Sequence, residues 1–322
     1  MAILAGIDEA GYGPILGPLV VSSSAFSIPD ELLSKSLWQI LRKSVGIKKT
    51  HLSGRLLITD SKKAFSQTGG IGHIQRTTLA CLKCLDKNPE TLISLLTCLC
   101  PDYIRQLDSY PWYAKTGDHR LSFDGDDIAV ASSAFANDLS SNGLSFIDMA
   151  SICLDVEQYN NMVEAVKNKS NVLFSITARL VQALWDSPAA KAAGDLHIII
   201  DRQGGRSHYR RNLQLMFEGF ELTILKETET LSSYQLNNAG RKMTLHFVVA
   251  ADRKYLPVSL ASMASKYLRE LMVDNINRYF ISFNSELKPT AGYWQDGLRF
   301  IKDLNTLIPH ISYNSNQLIR CR

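Results

Sequence analysis

Short apolar runs that end at glycine, proline or aspartate divide the chain into predicted β-strands. The first run is broken by Gly11 and Gly13, and Pro29 follows the second. The fourth run alternates apolar and polar positions, as a strand with one buried face does. The predicted strands cover residues 2–8, 18–27, 196–200, 220–225 and 243–250.

Apolar residues at helical spacing predict helices between these strands. On the longest of them, Ser262, Lys266 and Arg269 share one face because they are spaced i, i+4 and i+7. The opposite, buried side of this amphipathic helix can be formed by Met263, Leu268, Leu271 and Ile276. The predicted helical segments run from Pro29 to Leu41, near 74–86, near 90–100, within 154–186 as one or two helices, and over 258–281.

Strands that alternate with helices favour an α/β domain built on a mixed β-sheet that is flanked by helices. Residues 64–145 do not fit this alternation, because they combine apolar helical stretches with a polar, aromatic stretch around Trp112 and Tyr113. We therefore predict a core formed by residues 1–63 and 154–322. Residues 64–153 are predicted to be a large, mainly helical insertion or subdomain.

The composition is that of an ordinary globular protein, with 45% hydrophobic and 20% charged residues among 322. The net charge of +4 permits an anionic partner without requiring one. No charge-free apolar stretch reaches the roughly 18 residues of a membrane span. The apolar start is short, lacks a basic leader and does not resemble a signal peptide. Six cysteines in a chain of this length do not suggest a secreted disulfide framework. We expect a cytoplasmic monomer that does not bind membranes.

Three of the predicted strands run into an aspartate. Asp8 ends the first strand and precedes Glu9, Asp201 follows the third, and Asp252 follows the last. A carboxylate at the end of a buried strand costs free energy unless it is compensated, and clustered carboxylates repel one another. A hard divalent cation such as Mg²⁺ or Mn²⁺ prefers oxygen ligands and would hold such a cluster together. Two such ions about 3.5–4 Å apart can activate water and stabilise a leaving phosphate-ester oxygen.

Both this cluster and a group of cysteines allow a purely structural interpretation. Aspartate is a favoured turn and helix N-cap residue, so each acid could simply end a strand. Two close cysteine pairs could hold zinc in an interaction protein, or could be small apolar residues of packed helices. Their leucine-rich surroundings favour packing. These residues are Cys81, Cys84, Cys98 and Cys100.

Residues 6–18 carry a specific motif, Gly-Ile-Asp-Glu-Ala-Gly-Tyr-Gly-Pro-Ile-Leu-Gly-Pro. It closely resembles the opening motif of ribonuclease HII and its relative ribonuclease HIII, which cut the RNA strand of RNA–DNA hybrids. In that family the Asp-Glu pair supplies two of four catalytic carboxylates.

Further matches follow in the order of that family. Residues 60–63 match its Asp-Ser-Lys motif, whose side chains line the nucleic-acid groove, and Asp201 stands where the third carboxylate ends its strand. Residues 262–270 resemble the helix pattern Ser-x-x-Ala-Lys-x-x-Arg-Asp. Residues 291–296 are similar to a segment that contains Gly-Tyr-x-x-Asp.

The resemblance implies a ribonuclease H-like fold and hydrolysis of the RNA strand of an RNA–DNA hybrid, or of ribonucleotide-containing DNA, with two Mg²⁺ or Mn²⁺ ions. The catalytic residues and metal ligands would be Asp8, Glu9, Asp201 and Asp252. The residues that match the family's nucleic-acid contacts are Gly11, Tyr12, Gly13, Ser61, Lys62, Ser262, Lys266 and Tyr293.

Position 12 departs from the family, which usually has Gly-Arg-Gly where this chain has Gly11-Tyr12-Gly13. In the family this loop contacts the 2′-hydroxyl of the ribonucleotide through backbone groups, and glycine lets a backbone approach a ligand closely. Tyr12 removes a guanidinium that could pair with phosphate. Cutting at a single embedded ribonucleotide is therefore left open. Two alternatives are a nuclease of the same fold with another nucleic-acid substrate, and a binding module without catalysis.

Basic residues flank the proposed acids along the sequence. Cations around a metal site suit a polyanion, whose affinity comes largely from phosphate contacts. Each basic run alone is more often a solvated surface. The runs are Arg42-Lys43 with Lys48-Lys49, Arg202 to Arg211, and Arg253-Lys254.

Overall fold

The computed structural model describes residues 1–65 and 70–321, and a seven-stranded β-sheet forms its centre. The predictions for 64–153 and 154–322 include residues 66–69 and 322, which lie outside the described residues. The strands are β1 (Ala2–Ala10), β2 (Leu19–Ile28), β3 (Val45–Gly46), β4 (Leu56–Leu57), β5 (Ser145–Leu154), β6 (Asp195–Asp201), β7 (Glu221–Glu227), β8 (Leu231–Asn238) and β9 (Arg241–Val248). β3 and β4 form a separate parallel pair.

The strand order in the sheet is β5-β2-β1-β6-β9-β8-β7. β1, β6 and β9 are neighbours and run parallel, whereas the outer strands extend the sheet by antiparallel pairing. The prediction of a mixed sheet flanked by helices is therefore confirmed. Because the carboxyl ends of parallel neighbours lie at the same edge, the residues that follow β1, β6 and β9 meet there.

Helices surround this sheet. The α-helices are α1 (Leu37–Ile40), α2 (Ser61–Ala64), α3 (Gly72–Lys83), α4 (Leu92–Leu99), α5 (Gly125–Ser141), α6 (Val156–Val166), α7 (Lys169–Asp186), α8 (Pro188–Ala192), α9 (Arg210–Met216), α10 (Leu256–Ile281), α11 (Trp294–Leu307) and α12 (Ser315–Leu318). The 3-10 helices are Asp30–Leu32, Pro101–Ser109, Pro111–Tyr113, Thr116–Asp118 and Ala251–Arg253.

Apolar side chains fill both faces of the sheet, as is usual where neighbouring strands are parallel. On one face, Leu4, Phe26 and Ile199 belong to a cluster that includes the buried residues of α10 and α3. On the other face, Ile3 and Val21 belong to a cluster with the buried residues of α7. The central strands are therefore fixed from both sides up to the edge where the acids lie.

β1 and α10 approach each other closely at Gly6. A Cβ atom at this position would lie 2.2 Å from the carbonyl carbon of Pro257 and 2.2 Å from the nitrogen of Val258. On the neighbouring strand, the Ser24 hydroxyl donates a hydrogen bond to the Pro257 oxygen at 2.8 Å. A side chain at Gly6 would push α10 away from the strand that carries Asp8, so the glycine sets the distance between them.

The long helix α10 is buried around most of its circumference, unlike the amphipathic helix predicted over 258–281. It packs on β1 and β2, and also contacts α3 and the 3-10 helix Pro111–Tyr113. Ser262 and Arg269, opposite the predicted buried side, are only 4% and 1% exposed. Segments distant in sequence cover this side, and local periodicity does not reveal them.

Several boundaries also differ from the sequence prediction. β5, at the end of the predicted insertion, pairs with β2 as an edge strand of the central sheet. β8 was not predicted, since its polar sequence lacks a clear apolar alternation. The helix predicted from Pro29 to Leu41 is a 3-10 turn followed by the single turn α1. β7 was predicted to be half-buried, but as an edge strand it leaves Ile224 and Leu225 exposed.

None of the helices within residues 1–65 and 70–321 combines the length and apolarity that are needed to cross a bilayer.

Candidate active site

Three neighbouring parallel strands bring the four predicted carboxylates to one edge of the sheet, called the acidic edge below. The residue before Asp8 pairs with the residue before Asp201, so these two acids take the next positions on adjacent strands. Glu9 continues β1. Asp252 lies in the 3-10 helix Ala251–Arg253, shortly after the end of β9.

Hydrogen bonds hold the two strand-end aspartates in place. The Asp8 Oδ1 atom accepts the Glu9 backbone N–H at 2.8 Å, and the nearby Ser262 lowers the pKa of Asp8 in part. Asp201 Oδ1 accepts the Ala251 backbone N–H at 2.6 Å. This last bond ties the end of β6 to the turn that carries Asp252.

Burial and mutual repulsion raise the pKa values of all four carboxyl groups. Desolvation is the largest cause for each, and the next is repulsion by Glu9 and Asp201 for Asp8, and by Asp201 for Glu9. The pKa of Glu9 rises to about 7 and that of Asp201 to about 6. The neighbouring cations therefore do not offset the combined effect of burial and repulsion on these carboxyl groups.

A fifth carboxylate, Asp60, lies beside the acidic edge, and the sequence analysis placed it only in a groove motif. Its side chain is 4% exposed, caps α2 through the Lys62 N–H at 2.9 Å, and lies 3.2 Å from Arg253 Nε. Repulsion by Asp60 follows burial in raising the pKa of Asp252. The motif of residues 60–63 contains Asp60. Its contact with Arg253 joins residues 193 positions apart, so no local sequence pattern could predict it.

The predicted phosphate-binding residues of α2 and α10 adjoin the same edge. The Ser262 hydroxyl donates to the Ser61 hydroxyl at 3.0 Å, and both residues are buried. Lys62 is exposed, and its positive charge lowers the pKa values of Glu9 and Asp252 in part. Lys62 is thus the member of this group that is open to an anionic ligand.

The donor atoms at the acidic edge fit a hard divalent cation, because they are carboxylate oxygens. A cation there would lower the raised pKa values, since opposite charge favours the ionised form. Within the described residues, no three Asp, Glu, His or Cys side chains converge as a ready metal-binding group. Repulsion between carboxylates opposes such convergence as long as no cation compensates it.

Residues 11–18, called the glycine loop below, connect the acidic end of β1 to β2. Gly11 has a φ of +94°, and a Cβ atom there would lie 2.6 Å from the Pro18 oxygen and 2.9 Å from the Arg269 Cδ atom. Gly13 is exposed, and in the described part of the chain no atom lies within 4 Å of a Cβ built on it. The backbone conformation and the close packing of the loop therefore require glycine at position 11. At position 13 a side chain would extend into open space at the surface.

Tyr12 connects the glycine loop to the start of α7. The Lys169 ammonium lies 5.2 Å from the centre of its ring, and Ser170 hydrogen-bonds to its hydroxyl. Burial and the nearby Glu9 raise the pKa of Tyr12. The Lys169 ammonium thus places a positive charge beside position 12, where the motif that the sequence resembles usually has an arginine.

The aromatic side chain of Tyr293, the other predicted ribonucleotide contact, is 49% exposed. The Arg269 guanidinium lies 5.4 Å from the centre of its ring and the Lys266 ammonium 6.0 Å. Lys266 Nζ is also 2.7 Å from Glu270 Oε1. The ring is accessible to a ligand, whereas the charge of Lys266 already has a carboxylate partner.

Two buried arginines lie behind the glycine loop, and the sequence analysis identified neither as a loop contact. Arg269 is 1% exposed and donates from Nη2 to the Ala291 oxygen at 2.8 Å. Arg320 is 4% exposed and donates to the oxygens of Gly11 and Gly17. Burial, followed by repulsion from Arg269, lowers the pKa of Arg320 to about 9, so it stays protonated at neutral pH.

Two arginines of the basic run after β6, Arg202 and Arg206, form hydrogen bonds within the protein. Arg202 donates to backbone oxygens of Gly205, Arg206 and Glu229. Arg206 donates to Asn171 Oδ1 at 2.7 Å. These guanidinium groups order the segment after Asp201, and their contacts leave them less available for phosphate groups than the sequence suggested.

The cysteine pairs lie away from the acidic edge. Cys81 and Cys100 are buried in the apolar cluster, and burial raises the pKa values of both thiols. Cys84 Sγ lies 3.2 Å from the Ser132 hydroxyl. These contacts are those of packed side chains.

Comparisons with solved structures find type 2 ribonucleases H. The chain is 18% identical to ribonuclease HII of Archaeoglobus fulgidus in its complex with PCNA, with a TM-score of 0.46 over 99% of this chain and 94% of that chain. It is 15% identical to ribonuclease H2 of Pyrococcus horikoshii OT3, with a TM-score of 0.49 over 98% and 92%. It is also 15% identical to Bst ribonuclease HIII in complex with Mn²⁺, with a TM-score of 0.46 over 99% and 66%.

These structures belong to the family that the sequence motifs resemble. No family model matches the chain, and no curated protein matches it either. The identities and TM-scores are too low to assign an activity to this chain, so its chemistry must be argued from its own residues.

Proposed function

We propose that this chain is a divalent-metal-dependent endonuclease that hydrolyses the RNA strand of RNA–DNA hybrids. One observation carries the proposal: Asp8 and Glu9 near the end of β1, Asp201 at the end of β6 and Asp252 just after β9 lie at one edge of the sheet, on three neighbouring parallel strands. The motif that contains the first two acids continues directly into the glycine loop. Acid cluster and loop are thus adjacent, as a site that cuts beside a recognised ribonucleotide requires.

The four carboxylates would hold two Mg²⁺ or Mn²⁺ ions. Such ions, when bound, supply an activated water and stabilise the leaving oxygen of the phosphodiester. Within the chain, the Ala251 N–H fixes the Asp201 carboxylate, while the Glu9 N–H orients Asp8. These bonds restrict the movement of the two carboxylates, which would reduce the ordering that ion binding requires.

Substrate recognition would use both sides of the acidic edge. Lys62 is exposed beside the acids and would bind a backbone phosphate, with Ser61, Ser262 and Lys266 behind it. On the other side, Gly11, Tyr12, Gly13 and the exposed ring of Tyr293 would contact the ribonucleotide. Backbone groups of the loop can read the 2′-hydroxyl, which is what distinguishes RNA from DNA.

The test is a cleavage assay on a hybrid, a DNA duplex, single-stranded RNA and a duplex with one ribonucleotide, in Mg²⁺ or Mn²⁺. We expect cutting of the RNA strand of the hybrid, and a loss of about a thousandfold in Asp8→Asn, since several kcal/mol of charge stabilisation is removed. Asp195→Asn is the matched control, because Asp195 lies at the opposite end of β6 and pairs with Lys242 at the surface.

Two results would contradict the proposal. One is a folded wild-type protein that cuts no hybrid with either ion. The other is an Asp8→Asn variant that cuts as fast as Asp195→Asn. Preferential cutting of a DNA duplex would instead support a nuclease of the same fold with a different substrate, and binding without turnover would support a module that has lost catalysis.

A further inference from the structure

Arg320 contacts both ends of the glycine loop with one side chain. Its Nε and Nη2 atoms donate to the Gly17 oxygen at 2.9 and 2.5 Å, and its Nη1 atom donates to the Gly11 oxygen. The backbone joins the same interaction, because the Arg320 N–H donates to the Ile15 oxygen at 2.9 Å. A single guanidinium therefore fixes the separation of the two loop ends.

We propose that Arg320 is a positioning residue, which holds the glycine loop in the conformation that contacts the ribonucleotide. The inference rests on the proposed function, since it assigns a task to the same loop. Arg320 would not touch substrate. It would act through the carbonyl groups of Gly11 and Gly17, whose orientation decides where the exposed backbone groups between them point.

Because Arg320 is charged and buried, a movement of the loop away from it would cost free energy. Within the described residues, no carboxylate forms an ion pair with its guanidinium, which is compensated by loop carbonyl oxygens and by the ring of Tyr159, 4.9 Å away. An uncompensated buried cation is strongly unfavourable. If the loop moved, Arg320 would lose its hydrogen-bond partners, so the loop conformation and the burial of the charge stabilise each other.

The segment that carries Arg320 is anchored independently of the loop. The Asn160 amide of α6 donates to the Ile319 oxygen at 2.9 Å, and its Oδ1 atom accepts the Cys321 N–H at 2.7 Å. Leu318 is fully buried in the apolar core. Because the segment is held from outside, Arg320 can impose a position on the loop rather than follow it.

The glycine loop also fixes the position of Gly292 and of Tyr293, the other expected ribonucleotide contact. The Gly292 oxygen accepts the N–H groups of Ile15 at 2.8 Å and Leu16 at 3.2 Å. Tyr293 follows directly. A displacement of the glycine loop would thus also displace the Tyr293 ring, so one buried arginine sets the geometry on both sides of the expected ribonucleotide.

The choice of arginine follows from the geometry of its donors. A guanidinium presents several N–H groups in a rigid plane, so it can reach two carbonyls at once, whereas an ammonium is a point charge on a flexible stem. Arg320→Lys keeps the positive charge but loses this fork. Arg320→Met removes the charge and keeps most of the apolar volume. Leu318→Ala is the matched control, because it destabilises the same segment without altering a loop hydrogen bond.

The experiment measures amide hydrogen exchange in the full-length protein with Mg²⁺, together with kcat and KM on an RNA–DNA hybrid per folded molecule. We expect Arg320→Lys and Arg320→Met to exchange about tenfold faster at residues 11–17, and not in β1 or β6. We expect kcat/KM on the hybrid to fall about tenfold to a hundredfold, as small misplacements of positioning groups do. Leu318→Ala should lower the melting temperature but change loop exchange and kcat/KM much less than either Arg320 variant, because the guanidinium keeps its loop partners.

Wild-type loop exchange in both Arg320 variants would overturn the inference. The same holds if Leu318→Ala, at an equal loss of stability, speeds loop exchange and lowers kcat/KM as much as Arg320→Lys does. If the wild-type protein cuts no hybrid, the proposed function fails on its own, while the exchange of residues 11–17 still decides whether Arg320 positions the loop.

Discussion

The acidic edge and the glycine loop are consecutive in the chain, yet they handle buried charge in opposite ways. At the edge, carboxylates neighbour carboxylates, and burial with repulsion raises their pKa values. Behind the loop, Arg269 and Arg320 are buried near each other, and backbone oxygens accept their hydrogen bonds. The protein itself therefore satisfies most donors of the two arginines, including Arg269 Nη1 through Glu270, although Arg269 Nε has no hydrogen-bond partner within the described residues. The acids would be compensated by a divalent cation under the proposed function.

This difference distinguishes the acidic edge, which is the candidate ligand site, from the glycine loop, whose conformation is fixed by contacts within the protein. Charge that is compensated internally gives a fixed conformation, and charge that is left in excess gives affinity for an oppositely charged ligand. We therefore expect substitutions in the loop to change the free energy of unfolding directly. Substitutions at the edge should change it mainly when metal or pH is varied.

The largest effect is expected from Gly11→Ala, which breaks the loop. The positive φ of Gly11 and the approach to the Pro18 oxygen leave no room for a methyl group. We expect a loss of about 3 kcal/mol in the free energy of unfolding, measured by urea denaturation. Gly13→Ala is the control and should change stability by less than about 0.5 kcal/mol. Equal losses in the two variants would contradict this account of the loop.

A smaller effect is expected at the acidic edge when metal is added. Mg²⁺ or Mn²⁺ at about a hundred times its Kd should raise the free energy of unfolding by about 2.7 kcal/mol, because it binds only the folded state. Asp201→Asn should abolish this increase, while Asp195→Asn should retain it. The measurement is denaturation with and without metal, and an undiminished increase in Asp201→Asn would rule out the predicted ligand set.

The next effect is on pH dependence in the presence of a chelator. The pKa of Glu9 rises from 4.5 to about 7 on folding, so the folded state binds more protons than the unfolded state in this range. Stability should therefore fall as pH rises from 4.5 to 7, on the order of 2 kcal/mol. Glu9→Gln should flatten the curve.

The buried Arg320 should not contribute to this pH dependence. Arg320, with a pKa of about 9, keeps its charge throughout that pH range. A fall in stability that persists unchanged in Glu9→Gln would show that Glu9 is not its source, whereas a reduced fall is expected because Asp8, Asp201 and Asp252 also have raised pKa values.

The smallest effect concerns the contact between Lys169 and Tyr12, where loop and α7 meet. A cation over an exposed aromatic ring contributes about 0.5–1 kcal/mol. We expect this coupling energy in a double-mutant cycle of Lys169→Ala and Tyr12→Leu, measured by denaturation. Additive losses would mean that the ammonium and the ring do not interact in solution.

The sequence was informative wherever a local pattern determines the structure. The apolar runs before Asp8 and Asp201 predicted two strands of the parallel core, because buried strands need continuous apolar residues. The motif of residues 6–18 then placed an acid pair and a loop side by side. The order of the acids along the chain follows from such local signals, and it led to the expectation that they share one site.

Long-range contacts were beyond these signals. The sequence predicts residues 145–153 to be part of an insertion, since a strand whose sequence includes Asp148 and serines lacks a clear apolar alternation. It predicts Arg269 on the helix face opposite the buried side, although distant segments cover that face. The contact of Arg320 with Gly17 spans 303 residues, so no spacing rule could suggest it.

The antiparallel bridge between Leu16 and Ile319 has a consequence for the order of events during synthesis. Arg320, whose side chain fixes the loop, follows Gly17 by 303 residues. A growing chain can thus form β1 and β2 long before its loop is locked. The loop should reach its final conformation only after the segment that carries Arg320 has been synthesised and has docked on it.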